Sequence, residues 1–403
     1  MKYVVILGDG MADEPLLELG GKTPLEYAAT PTLDELAPVS ELGMAHTIPQ
    51  GMAPGSDTAN LAVLGYNPRE YYTGRSPLEA LSIGVDMGTE DVALRTNLVT
   101  LTEEEGKTYR EQRMVDHSSS EISTEDAAIL LEAVKKELET DTLHFYVGTS
   151  YRHLLIWNQG KVVPARGPHD ILEQEIGAYL PEEELLLRMQ EKSYEILRNH
   201  PFNLERKRQG LNPANSLWFW GAGTRPALTL FLEKTGKRGA MISAVDLLKG
   251  IAVGAGMESI PVEGANGQLH TNYEGKADAA CEALLKKGYD FVYVHVEAPD
   301  EMGHQGSVER KVQAITYLDQ RVIRRVKEAM DASGEPYRML VLPDHPTPIR
   351  VRTHTADPIP YLLYDSTVSR EGRPFYSEAE AGKTGLDLPE GYRLIERLFA
   401  EPA

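Results

Sequence analysis

Short runs of β-branched and other apolar residues recur along the chain, and most end at an acid or a histidine. Val4-Val5-Ile6-Leu7 runs into Gly8-Asp9-Gly10, Phe291 to Val296 into Glu297-Ala298-Pro299-Asp300, and Met339 to Leu342 into Pro343-Asp344-His345. Ala240-Met241-Ile242-Ser243 and Ile359 to Tyr364 have the same character. Because the runs are continuous rather than alternating, they predict strands covered on both faces, as in a parallel sheet between helices. Helical spacing of alanine and leucine from Lys276 to Lys287, and a charged amphipathic stretch from Val308 to Ala332, supply covering helices. Strands alternating with helices make an α/β sheet, whose ligands gather at the carboxyl ends of the strands. Asp9, Asp300 and Asp344 each follow such an end.

The pattern changes between about Thr89 and Thr235. Val92 to Val99 is strand-like, Ser123 opens a helix with Asp126 three residues on, and Leu143–Val147 and Arg152–Trp157 form a β-pair signature. Acidic helices are expected around Asp170–Tyr179 and Pro181–Arg198. The block separates the first strand from later strands of the same sheet, so it is expected to be an insertion. The expected organisation is a core domain of residues 1–88 and 236–403, with a smaller α+β domain at 89–235.

Composition narrows the classes. The 403 residues carry 41 basic and 61 acidic side chains, a net charge of −20. A hydrophobic fraction of 41% with 25% charged is globular and excludes a disordered or fibrous chain. No apolar run approaches the roughly 18 residues of a membrane span. The run after Met1 is too short for an export signal, so a cytoplasmic location is expected. Cys281 is the single cysteine, which leaves no disulfide framework and no thiolate metal cluster. The acidic balance argues against a nucleic-acid partner. It does not argue against a small phosphorylated substrate, because a few arginines and a bound metal can invert the potential of one cleft.

Three groups of residues carry candidate chemistry. His304 lies four residues after Asp300, so a helical turn would project both from one face; His345 adjoins Asp344; and His354 sits in the Arg352-Thr353-His354-Thr355 loop. Carboxylate and imidazole together suit Mn²⁺, Zn²⁺, Co²⁺ or Fe²⁺ better than Ca²⁺. His295 and His144, single histidines on strands, read as ordinary core or surface residues. In Pro54-Gly55-Ser56-Asp57-Thr58-Ala59-Asn60, Ser56 sits near a helix amino terminus, either as a helix cap or as a nucleophile facing a phosphate. Arg95, Arg152 and Arg225 have polar neighbours and the planar fork that fits phosphate or carboxylate. Trp218-Phe219-Trp220 reads mainly as core packing.

Asp9, the Gly55–Asn60 turn, Asp300-x-x-x-His304, Asp344-His345 and His354 together resemble the metalloenzyme core of the alkaline phosphatase superfamily. Leu61 to Tyr66, Tyr72-Thr73-Gly74-Arg75, Ser150-Tyr151-Arg152-His153 and His295 to Glu301 are similar to the cofactor-independent phosphoglycerate mutases of the archaeal type. The resemblance covers nearly the whole chain. It implies a mostly parallel sheet sandwiched by helices and two divalent ions, with Mn preferred and Zn, Co or Mg as alternatives. One ion would be held by Asp300, His304 and His354, the other by Asp9, Ser56, Asp344 and His345. Ser56 would be the nucleophile that becomes phosphorylated. Phosphoglycerate would bind with its carboxylate and free hydroxyl held by Arg95, Arg152, His153 and Arg225. His117, His169 and Asp170 are further substrate candidates, and either Lys249 or Lys276 would hold the phosphate. No 2,3-bisphosphoglycerate is implied, and the oligomeric state stays open. A phosphatase, another phosphomutase or a homoserine-kinase-like enzyme remains the alternative.

Overall fold

The computed structural model describes residues 1–400. Its strands are, in chain order, β1 (Lys2–Gly8), β2 (Glu41–Ala45), β3 (Val92–Leu101), β4 (Met114–Asp116), β5 (Leu143–Thr149), β6 (Arg152–Trp157), β7 (Ser216–Thr224), β8 (Gly239–Ile242), β9 (Glu258–Ser259), β10 (Phe291–Val296), β11 (Tyr337–Leu342), β12 (Ile359–Asp365) and β13 (Asp387–Leu388). Two compact units result: Met1–Tyr72 with Ala227–Ala403, and Thr73–Pro226.

The first unit is built on an eight-stranded sheet in the order β13-β2-β12-β11-β1-β10-β8-β9. Its centre is parallel: β1 pairs in register with β10 on one side and β11 on the other. All six residues of β10 and of β11 are buried, as continuous apolar runs require when helices cover both faces. One expectation needs correcting. The Ile359–Tyr364 run has the same pattern as the parallel strands, but β12 runs antiparallel to both β11 and β2, so the sheet is mixed. An apolar run reports burial on two faces and carries no information on direction. Gly8 pairs with Val296 and Leu7 with Leu342, so three strand ends stop at one level. Asp9, the Ala298–His304 helix and Asp344 all emerge from that edge.

The second unit has a five-stranded sheet in which β3 pairs antiparallel with β4, β6 and β7, and β6 with β5. Every residue of β3 is buried. Its even positions, Val92, Leu94 and Leu98, join Phe219, Leu155 and the Thr124–Leu138 and Glu184–Leu197 helices in one apolar cluster. Strand β7 contains the Trp218-Phe219-Trp220 run, which alternates between the sheet's two faces instead of packing as one aromatic block. Around Asp170–Tyr179 the expected helix is replaced by two short 3₁₀ turns, Pro168–Ile171 and Ile176–Tyr179. The compact unit starts at Thr73 rather than at residue 89, because the Ser76–Ser82 helix packs on β3 and β7. It ends at Pro226 rather than 235, because Phe231 stacks against Phe291 of the first unit's sheet.

Candidate functional site

In the first unit the strand-end loops bring seven sequence-predicted residues together. Asp9, Asp300 and His345 offer donor atoms within 4.8 Å of one another, as do Asp300, His304 and His354. His304 Nε2 lies 3.2 Å from Asp300 Oδ2 and 3.1 Å from His354 Nε2. The other His304 nitrogen, Nδ1, faces the Arg352 carbonyl at 3.0 Å and can only donate to it. Nε2 is thus the nitrogen that faces Asp300 and His354, and its hydrogen bond to Asp300 raises the ring's pKa to about 9. Asp344 accepts from the Gly10 and His345 amides and from Asn60 Nδ2. Gly10 adopts φ +59°, and a Cβ there would stand 2.6 Å from Asp300 Oδ1, so both the turn and the close approach require glycine.

Ser56 is the first residue of the Ser56–Val63 helix, and the cap position before it belongs to Gly55, so the serine is not the cap residue. Its Oγ lies 3.2 Å from His345 Nε2. Asn60, one turn on, donates to both the Ser56 carbonyl and Asp344, and accepts from the Tyr293 hydroxyl. The helix start is thereby tied to the donor cluster.

The electrostatics of the cluster call for a cation. Burial, with Asp344 and Asp300 nearby, pushes the Asp9 carboxyl well above its ordinary range. Burial also pushes Asp300 up, but hydrogen bonds from His304 and His354 win and hold it well below. Asp9 Oδ1 and His295 Nε2 are buried without a hydrogen-bond partner. Three crowded carboxylates, converging imidazole nitrogens and orphaned polar atoms fit divalent cations bound by oxygen and nitrogen, which displace the protons there.

Sequence reasoning missed His295, set aside as a lone strand histidine. It is fully buried, with Nε2 3.0 Å from Asp9 Oδ2 and Nδ1 3.2 Å from Glu297 Oε1. Burial opposes its charge, but the two carboxylates raise its pKa to about 10. Two carboxylates on either side of one ring could not be read from spacing, because Asp9 lies on another strand. Lys276 needs correcting as a phosphate ligand. It is fully buried, paired with Glu297, and donates to the His295 carbonyl at 2.7 Å. Lys249 remains partly exposed on the Asp246–Gly254 helix, 3.1 Å from Asp246.

The second unit gathers cations on the odd face of β3. Arg95 pairs with Trp220, and Asn97 with Arg152, so these side chains share one side of the sheet. The Arg95 guanidinium lies 4.9 Å over the Trp220 ring, and its Nε is buried without a hydrogen-bond partner. Burial, helped by Arg75 and Arg152 and opposed by Glu79, lowers its pKa to about 10. His169 packs edge-on against Trp220 at 5.3 Å and against His117 at 6.2 Å. His117 meets Tyr151, over which the Arg152 guanidinium lies at 5.4 Å. Asp170 Oδ1 is 3.5 Å from His169 Nε2.

Two predicted substrate residues are not brought into this group. His153 pairs with Thr96, so it points to the opposite, helix-covered face. It is 1% exposed there, and burial lowers its pKa to about 4. Adjacent residues of a strand face opposite ways, so Arg152 and His153 cannot serve the same side. Arg225 donates to the Met87 carbonyl at 2.9 Å and faces Asp86 at 3.5 Å, which engages it with that loop.

A serine set among carboxylates and imidazoles at the strand ends of a mostly parallel sheet defines the class: an α/β metal-binding enzyme. The profile of a family described as 2,3-bisphosphoglycerate-independent phosphoglycerate mutase matches residues 37–203. A Methanosarcina barkeri protein of that name is 50% identical over 394 residues, covering 96% of each chain. Among solved structures, a Pyrococcus horikoshii protein has 30% identity and a TM-score of 0.81, covering 100% of this chain and 98% of that one. A cofactor-independent phosphoglycerate mutase from Thermoplasma acidophilum has 26% identity and a TM-score of 0.66, covering 99% of both. The chain belongs to the 2,3-bisphosphoglycerate-independent phosphoglycerate mutase family, and is an isomerase.

Proposed function

We propose that the chain interconverts 3-phosphoglycerate and 2-phosphoglycerate by passing the phosphoryl group through Ser56 at a pair of divalent cations, without 2,3-bisphosphoglycerate. The observation that carries this reading is the Ser56 hydroxyl at the helix start, 3.2 Å from His345 Nε2 inside the donor cluster. Asp300, His304 and His354 would hold one ion, and Asp9, Ser56, Asp344 and His345 the other. Mn is the favoured metal, with Zn, Co or Mg as the others to test. Such ions neutralise charge on a transferring phosphoryl group and lower the pKa of a neighbouring hydroxyl.

Ser56 Oγ forms a bond to phosphorus as the bond to the substrate's C3 oxygen breaks, and the serine proton ends on that oxygen. The C2 hydroxyl of the retained glycerate then takes the phosphoryl group, and its proton returns to Ser56. Asn60 fixes the helix start that carries the nucleophile. A mutase differs from a phosphatase in keeping glycerate between the two steps. Arg95 and Arg152 would grip its carboxylate through their planar forks. His117, His169 and Asp170 would position or relay protons of its hydroxyls, Arg225 would brace the 86–87 loop, and Lys249 would meet the phosphate. The reaction belongs to glycolysis and gluconeogenesis, and we assign it to the cytoplasm. No helix among the described residues is long and apolar enough to cross a membrane.

Phosphorus NMR on protein incubated with 3-phosphoglycerate tests the reading. Growth of 2-phosphoglycerate without a matching rise in free phosphate is expected. Free phosphate as the main product would replace the mutase with a phosphatase.

A further inference from the structure

The His295 ring has one nitrogen committed inside the protein and the other presented to the donor cluster. Its Nδ1 lies 3.2 Å from Glu297 Oε1 and 3.1 Å from Ser243 Oγ. Glu297 also accepts from the Ala244 amide at 2.7 Å and is paired with the buried ammonium of Lys276. A carboxylate so placed is ionised and can only accept, so the ring hydrogen sits on Nδ1. Nε2 is the nitrogen left to face Asp9 Oδ2, at 3.0 Å and with no aligned hydrogen bond between them. A ring nitrogen and a carboxylate set this close in a fully buried pocket need a positive charge between them, a proton in the metal-free ring or a cation that displaces it.

The neighbouring donors agree with that. His295, Asp9 and Asp344 each present a ligand atom, all within 4.8 Å of one another and all buried. Donors held about 2.1 Å from one cation stand roughly 3–4 Å apart. A carboxylate behind the ring, fixing tautomer and orientation, is the usual backing of a metal-bound imidazole. Here Glu297 fills that place, and Lys276 balances its charge within the core.

We infer that His295 is a further imidazole ligand of the cation held by Asp9 and Asp344, oriented by the Glu297–Lys276 pair behind it. The inference rests on the two-cation reading above and adds a donor to it. Lys276 thus acts on the site from behind a ligand and makes no contact with phosphate.

Cobalt-loaded protein carrying isotope-labelled histidine rings provides the test, read by paramagnetic NMR rather than by turnover. Four rings with strongly shifted nitrogens are expected in the unaltered protein, from His295, His304, His345 and His354. His295→Gln should show three, with the His304 and His354 signals retained. Glu297→Gln should keep four while weakening cobalt binding about 10–100-fold. Three shifted rings in the unaltered protein, with the same three in His295→Gln, would overturn the inference while leaving the two-cation reading intact. Unchanged cobalt affinity in Glu297→Gln would overturn the orienting role. Protein that takes up no cobalt would overturn both readings together.

Discussion

The two units of this chain bury opposite charges. In the first, three aspartates converge with imidazoles at parallel strand ends, and burial, with Asp344 and Asp300 adding repulsion, pushes Asp9 well above its ordinary pKa. In the second, Arg95 is buried under Trp220 beside Arg75 and Arg152, and the guanidinium is pushed down to about 10. The net charge of −20 describes neither place. On the proposed reading one cluster would take cations and the other anions, as a reaction on a doubly anionic phosphate ester with a carboxylate tail requires. Local composition of a buried face, set by strand parity and strand-end position, decides the chemistry.

The contrast can be tested from its largest expected effect downward. Ser56→Ala should lower turnover about 10⁴-fold or more while leaving the thermal melt unchanged, because Gly55, not Ser56, holds the helix cap position. Near-normal turnover in that variant would remove the covalent route. Next comes an ammonium buried behind the acidic cluster, that of Lys276. Lys276→Met leaves Glu297 buried without its cation and should cost about 3–5 kcal/mol in urea unfolding. A loss below about 1 kcal/mol would show that the pair is not structurally coupled to the fold.

On the cationic side, Arg95→Ala should cost about 3 kcal/mol of transition-state binding, ~10²-fold in kcat/KM, with more glycerate and free phosphate escaping. Arg95→Lys should recover little, since the ammonium lacks the fork. Equal product partition in wild type and Arg95→Ala would detach this arginine from glycerate retention.

A last effect, seen only as pH falls, separates the two faces of the second sheet. His153 is buried neutral, with its pKa lowered by burial to about 4 against an ordinary 6.5. Its contribution to stability is therefore present above pH 6.5 and is lost as pH falls toward 4, because the unfolded chain takes up the proton first. The full loss is about 3 kcal/mol. His153→Gln should flatten that part of the stability profile and leave KM for phosphoglycerate unchanged. A large KM change would return His153 to the substrate face.

How far the sequence carried follows from the same contrast. Strand runs ending in Asp9, Asp300 and Asp344 gave the parallel centre and the acidic cluster, because each run fixes both an element and the position of its terminal residue. His304 and His354 followed from helical spacing and loop position. His295 did not, since its partner Asp9 lies 286 positions away and meets it only through strand pairing. In the second unit the arginines were found as residues but not as a face. Reading Arg152-His153 as one motif ignored that neighbours on a strand point apart. The antiparallel direction of β12 and the strand character of Trp218-Phe219-Trp220 were missed for a related reason: local apolar runs do not encode pairing.

The central claim is that Ser56 carries the phosphoryl group between two positions of one retained glycerate. Rapid quenching during turnover, followed by peptide mass spectrometry, reads it directly. The account predicts a phosphorylated peptide containing Ser56, formed and consumed at rates that match turnover and absent in Ser56→Ala. Full mutase turnover with no phosphate on that peptide at any quench time would contradict it.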